Sequence, residues 1–347
     1  MSGQGKQLEG IQYLRAIAAL MVVLFHLSSY AGALLTRAAE RFPSGVDIFF
    51  VVSGFIMLIT SQRATPLSFL RRRIVRIVPL YWLLTVAIYA IAFPTVHRHA
   101  PVELIKSLLF IPYPDIHGSA YPMPIISPGW SLNLEMYFYV LFAVTLLAPL
   151  RRGAVLILGV LFSVLIGLHD SVAAHHSLIA FYFQPRIIEF WAGMAIGWMY
   201  LNGKAQASPV VAIASVVVGF AALVAFDLPF QLPAILVIAG VVCLEGAGRI
   251  PRWPLLGYLG DASYSTYLTH AAVIEAGYQV WRRLHLPDGV AFALVSLVVA
   301  LGCGVLCYRF IETPLLRMWH RPRVDRAQPF EQTGVAAGAR LTPGRTV

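Results

Sequence analysis

The feature that most constrains this chain is the recurrence of apolar runs long enough to cross a lipid bilayer. Ten of them can be marked, at approximately 12–34, 45–61, 75–94, 129–149, 154–169, 184–202, 209–226, 230–247, 262–281 and 289–310. About 20 residues of α-helix span a hydrocarbon layer of roughly 30 Å, at about 1.5 Å of rise per residue. Inside lipid, only helices and closed barrels satisfy their own backbone polar groups. Continuous apolar runs without alternation therefore predict an all-α, polytopic integral membrane protein with about ten transmembrane helices. Composition agrees, since 59% of the 347 residues are hydrophobic and 12% are charged, against roughly a quarter charged in soluble domains. The first run begins after Leu8 with no small-residue cleavage site before Arg37. It is expected to remain as the first span.

The basic residues orient these spans. With the amino terminus in the cytoplasm, seventeen Lys and Arg fall on inner loops or the tail and seven on outer loops. That bias follows the positive-inside rule and predicts both termini in the cytoplasm. In a soluble chain the net charge of +10 would suggest nucleic acid. Here topology accounts for it, and no nucleic-acid partner is expected. A shorter apolar piece at 103–112, between Pro101 and Pro112, is placed in an outer loop as a re-entrant segment. Residues 111–129, rich in proline and glycine, read as irregular. Residues 319–347 lack periodicity and are expected to form a disordered cytoplasmic tail. Neither a second soluble domain nor an internal repeat is evident. Cys243, Cys303 and Cys307 lie in apolar runs without ligand spacing, and His97, His99, His175 and His176 fall in outer loops, so no metal is expected.

Ionisable side chains inside a membrane are costly and are usually paired or functional. Arg15 and His26 are eleven residues apart, about three helical turns, so they share a face roughly 16 Å apart along the axis. Arg15 is expected at the cytoplasmic mouth and His26 beyond the midplane. Arg71, Arg72, Arg73 and Arg76 lie between the second and third spans. Much of that is ordinary inner-loop charge, but Arg73 and Arg76 stand at i, i+3 and can converge on one anion. Guanidinium pairs suit phosphate through bidentate hydrogen bonds. Asp47 and Glu135 sit in the outer third of their helices, at a depth open to His26. Glu189 follows Arg186 by one turn, which makes an intrahelical ion pair its plain explanation. His270 lies midway along the ninth span, beside Tyr264 and Tyr267, either as a packed histidine or with a direct role.

These residues sit within longer motifs. The first span reads Gly10-Ile-Gln-Tyr-Leu-Arg15 and reaches His26; the second opens Gly45-Val-Asp47 and contains Ser53-Gly54-Phe55. Arg73-Ile-Val-Arg76 is followed by Pro79-Leu-Tyr81-Trp82, then by Gly129-Trp130-Ser131-Leu-Asn-Leu-Glu135. Arg186-Ile-Ile-Glu-Phe190 with Gly193, and Ser263-Tyr264-Ser-Thr-Tyr267-Leu-Thr-His270, complete the series. In this order and over about residues 8–318, the chain resembles the membrane acyltransferase-3 family, in the branch that O-acetylates bacterial exopolysaccharides. Arg15 with His26, and Arg73 with Arg76, match that family's two basic patterns.

The resemblance implies a membrane O-acyltransferase, over residues 8–318, that moves acetyl from cytoplasmic acetyl-CoA to a saccharide hydroxyl. It also implies residence in the bacterial inner (plasma) membrane and, as further partners, the bilayer and the polysaccharide synthesis machinery. Arg15, Arg73 and Arg76 are then the donor-binding residues, and His26, with Glu135 and Asp47, the catalytic ones. Arg186, Tyr264 and His270 form an acceptor or structural polar site. His26 serves as general base or as nucleophile, its ring oriented by Glu135 or Asp47. Acetyl and succinyl both remain open as the acyl group. Two other classes stand beside the enzyme: a saccharide transporter or flippase without catalysis, and a non-catalytic scaffold.

Overall fold

The computed structural model describes residues 8–30, 45–92, 101–114, 122–147, 150–174, 177–225 and 232–319. Among them the regular structure is helical, with no strand. In chain order the longer helices are α1 (Glu9–Ser28), α2 (Gly45–Thr60), α3 (Pro66–Ala92), α4 (Pro101–Leu108), α5 (Gly129–Thr145), α6 (Ala154–Gly167) and α7 (Ile187–Leu201). They continue as α8 (Pro209–Ala225), α9 (Leu232–Gly246), α10 (Pro254–Asp261), α11 (Ser263–Arg283), α12 (Val290–Cys307) and α13 (Thr313–Trp319). Each of the ten apolar runs coincides with one helix through most of its length. Glu9–Ser28, Pro66–Ile91 and Val290–Trp319 are long and apolar enough to cross a membrane by themselves. The proposed disordered tail lies outside the described residues, apart from its first residue, Trp319.

One boundary differs from the sequence reading. The third run begins its helix at Pro66, so Arg71 to Arg76 stand on the opening turns of α3 instead of a preceding loop. The N–H-deficient Pro66 suits a first helical position. The piece after Pro101 folds back against α3: Tyr81 Oη donates to Ser107 O at 3.2 Å and Trp82 Nε1 to Leu108 O at 2.8 Å. Tyr81 precedes the end of α3 by eleven residues, so α4 reaches roughly 16 Å back along α3 from that end. Helices α7 and α9 stop at Gly203 and Gly248, whose φ values of +67° and +65° suit the left-handed cap that glycine adopts without strain.

Apolar side chains facing outward cover the bundle. Leu156 on α6, Val210 on α8 and Val298 on α12 are 76%, 76% and 70% exposed. A patch of this extent has no place in water and suits contact with lipid. The chain is a membrane protein.

Helix α1 is central, packed against α2, α9, α10, α11 and α12. Among the described residues, two helix pairs share the most extensive contacts, α2 with α7 and α8 with α9. A Cβ on Gly54 would collide with the Phe190 carbonyl, and one on Gly193 with the Val51 carbonyl. Each glycine thus admits the backbone of the other helix, the small-residue packing by which helices associate in lipid. Gly45 does the same for α2 on α1, lying against Ala18 and Val22. Gly54→Ala and Gly193→Ala should each destabilise the protein by roughly 1–3 kcal/mol through overpacking. Gly197→Ala, whose Cβ would meet Phe55 O at 3.3 Å and Leu58 at 3.4 Å, should lower the melting midpoint less. Thermal unfolding in detergent, followed by the monodisperse fraction, checks the ranking; equal midpoints for all three would show slack between α2 and α7.

Candidate active site

A cavity of about 510 Å³ opens where α1 and α3 begin and α12 ends, and runs between α1, α2, α3, α5 and α11. It gathers Arg15, Arg73, Arg76 and Arg317, with Glu135 and Asp261 as the carboxylates of its lining. Its volume suits a small-molecule site. Arg71 and Arg72 face outward and take no part, because residues three apart share a helix face while neighbours do not. Arg73 donates to Thr60 Oγ1 at 3.2 Å and stacks its cation over Phe69 and Tyr139. Arg15 donates to Gln12 Oε1 at 2.8 Å, one turn earlier on α1.

Glu135 accepts from Ser53 Oγ at 2.9 Å and from the Tyr139 hydroxyl. This fixes one carboxylate oxygen within a cavity otherwise dominated by positive charge. Tyr264 lines the wall and donates to Ile77 O at 2.8 Å, tying α11 to α3. The π-helical segment Tyr308–Glu312 brings Tyr308 to the lining and turns Glu312 inward, where Ser265 Oγ holds it at 2.6 Å. Local π geometry of this kind often marks functional sites.

Sequence reasoning missed Gln12, Asp261, Tyr308 and Arg317. Arg317 lies seven residues past the end of the tenth apolar run, 289–310. The signal that could have found it is the helical character that continues beyond Glu312 to Trp319.

Phe49 and Tyr267 both line the cavity, and their rings meet edge to face at 5.6 Å. Tyr267 is held there by Ser131 Oγ at 2.7 Å and by donating to Pro128 O at 3.0 Å. One turn beyond Tyr267 lies His270, fully buried, and against it lies His26, partly buried. His270 Nε2 is 3.3 Å from His26 Nδ1, with the rings 4.8 Å apart. The two histidines, 244 residues apart in sequence, form one pair outside the cavity lining.

The expectation that Glu135 or Asp47 orients the His26 ring is corrected here. Gly45, at the start of α2, is level with Ala18 and Val22 of α1. Helix α2 then runs away from His26. Ser53, which holds Glu135, comes eight residues after Gly45, about 12 Å further from His26 along the axis. Asp47 is on another face of α2, where Arg186 Nε reaches it at 3.3 Å. That ion pair crosses between helices, and Glu189 is fully buried on α7 close to both groups. The Arg186 guanidinium also stacks over Trp130. The predicted residues thus divide into three places: Arg15, Arg73, Arg76, Glu135 and Tyr264 in the cavity; His26 with His270 beyond it; Asp47 with Arg186 beside it. Among the described residues no three His, Cys, Asp or Glu side chains converge as metal ligands would. His97, His99, His175 and His176 lie outside the described residues.

A family described as an acyltransferase domain matches residues 8–309. The chain belongs to the acyltransferase-3 family. The match takes in every cavity arginine except Arg317, and both histidines of the pair. Among members and relatives, the exopolysaccharide production protein ExoZ of Rhizobium meliloti (strain 1021) is 36% identical over 321 residues, covering 87% of this chain and 97% of its own length. BcsY of Komagataeibacter xylinus, named as a membrane-bound transacylase, is 29% identical, covering 86% of this chain and 81% of its own. A Staphylococcus aureus (strain COL) protein named as an O-acetyltransferase is 25% identical over 89% of this chain, which spans 57% of that longer relative. These relatives support the exopolysaccharide branch of the acyltransferase-3 family. No solved structure matches the chain.

The openness of the acyltransferase cavity can be measured. With Cys243, Cys303 and Cys307 replaced by Ala, Ser53→Cys should be labelled in intact membranes by a small soluble maleimide. Val237→Cys, fully buried on α9, should not. Mass spectrometry reads the adduct, and an unlabelled Ser53→Cys would mean the cavity is closed to solvent.

Proposed function

We propose that the chain is a membrane O-acyltransferase that takes acetyl from cytoplasmic acetyl-CoA and transfers it to a hydroxyl of a bacterial exopolysaccharide or its lipid-linked precursor. In this reading ten helices span the inner membrane, both termini are cytoplasmic, and the cavity opens to the cytoplasm beside the synthesis machinery. Family membership supports the reaction class, and the relatives named for exopolysaccharide production and O-acetyl transfer support the acceptor and the acyl group.

One observation carries the donor assignment. Four guanidinium groups, from Arg15, Arg73, Arg76 and Arg317, meet at the open end of a single cavity. Like charges brought together in a low-dielectric site repel unless an anion joins them. Two lining carboxylates leave a surplus of positive charge. A CoA ester presents several phosphates at one end and a long, thin arm at the other. Its phosphates fit the arginines, and the amides of its arm meet Ser53 and Glu135 along the wall. The separation of about 16 Å between Arg15 and His26 resembles the reach of the extended arm.

At His26 the acceptor hydroxyl gives its proton to the imidazole as its oxygen attacks the thioester carbonyl. The new C–O bond forms, the C–S bond breaks, and the departing thiolate takes the proton back from the imidazolium. The products are the acetyl ester and free CoA. An imidazole is suited to both transfers because it exchanges protons near neutral pH.

His26→Ala should lower acetyl transfer about 10²–10⁴-fold, the usual contribution of a general acid–base group, at unchanged membrane abundance. Arg73→Ala and Arg76→Ala should each raise the KM for acetyl-CoA by roughly tenfold, as loss of one charged hydrogen bond does. The measurements are ester-linked acetate on the exopolysaccharide and steady-state kinetics of the purified protein. Full acetylation by His26→Ala would remove that residue from the chemistry. Unchanged donor KM in both arginine variants would reduce the pair to a topology signal.

A further inference from the structure

The partner of His26 in this structure is another histidine, and the hydrogen bonds around the two rings leave one arrangement of protons. His270 Nδ1 lies 2.7 Å from Tyr267 O and 3.2 Å from Thr266 O. Carbonyl oxygens only accept, so this nitrogen carries hydrogen. His26 Nδ1 lies 3.0 Å from Val22 O and carries hydrogen for the same reason. It also faces His270 Nε2 at 3.3 Å. A hydrogen on His270 Nε2 would oppose the one on His26, so His270 is neutral there and its Nε2 presents a lone pair. Reversing either tautomer would set ring lone pairs against carbonyl lone pairs.

We infer that His270 is a positioning residue whose Nε2 accepts a hydrogen bond from His26 Nδ1–H, leaving His26 Nε2 as the free base of the transfer. The inference rests on His26 being the base and adds what makes it one. Val22 O and His270 Nε2 share the same N–H, which fixes the ring against rotation and selects the tautomer. When His26 Nε2 takes the hydroxyl proton, the ring becomes an imidazolium and its Nδ1–H becomes a stronger donor. His270 Nε2 then stabilises that charge, much as a carboxylate does behind the histidine of a Ser-His-Asp triad, without placing a second ion in the membrane. His270 is held for this task from its own helix, since both carbonyls on its Nδ1 belong to α11. Its complete burial keeps water from competing for the lone pair.

The test combines kinetics with spectroscopy on the full chain in lipid nanodiscs, with acetyl-CoA as donor probe, water as the surrogate acceptor and CoA release as the readout. His270→Phe should lower kcat about tenfold or more and leave the KM for acetyl-CoA within about twofold. His270→Gln, which can set an amide oxygen where Nε2 stands, should recover most of that loss. A residue that only fills space would affect Gln and Phe alike, so equal losses would overturn the inference. So would full activity of His270→Phe. His26→Ala in the same assay tests the underlying reading separately: activity without His26 removes the base itself, whereas inactivity alongside an indifferent His270 removes only the positioning role. ¹⁵N spectra of the histidine-labelled native protein need no variant to fold. They should show His26 protonated at Nδ1 and bare at Nε2, and the opposite tautomer would overturn the inference.

Discussion

The close approach of α2 and α7 at Gly54 and Gly193 governs much of this structure. Lipid gives helices no hydrophobic reason to associate, so close approach of backbones and polar contacts must hold the bundle. Each glycine accepts a carbonyl of the other helix where a side chain would collide. The approach brings α2 against α7, and the tilted contact of the Phe50 and Phe190 rings at 4.6 Å follows from it. Residues of α2 line the cavity on one face and hold the Arg186 ion pair on another. The site inherits its width from a contact that contains no chemistry.

Polar groups in this bundle are organised by depth. At the end where α1 begins, four arginines from three segments of the chain surround an open cavity, and Glu135 is fixed there by two hydroxyl groups. Further along α1 the two histidines meet, bonded to each other and to backbone carbonyls. Exposure to solvent is cheapest for ions, and a buried neutral imidazole needs only hydrogen bonds. That gradient suits a donor whose charged end stays at the mouth while its reactive end goes deep.

A good part of the site was legible along single helices. Arg15 and His26 share a face because eleven residues complete about three turns. Arg73 and Arg76 converge while Arg71 and Arg72 turn away, for the same periodic reason. What could not be read was register between helices. Nominal depth alone places Asp47 and Glu135 both beside His26, which assumes that every apolar run starts at the same level. Gly45 shows otherwise, since it begins α2 already level with Val22 of α1. The shift carries Glu135 toward the arginines and leaves His26 to His270. Arg317 was hidden for a related reason: the π-helical turn carries the chain past the end of the tenth apolar run into α13.

Sequence alone determined that this chain lives in a membrane as helices, which residues share a helix face, and which family it joins. Those properties depend on apolar length, a period of 3.6 residues and local motifs, all written in consecutive positions. Tertiary structure decided which faces meet. Pairing His26 with His270 depends on how far one helix slides past another before backbones touch, and that distance is set by small residues on helices distant in sequence. No local pattern encodes it, because the energy that fixes it arises only when the helices pack.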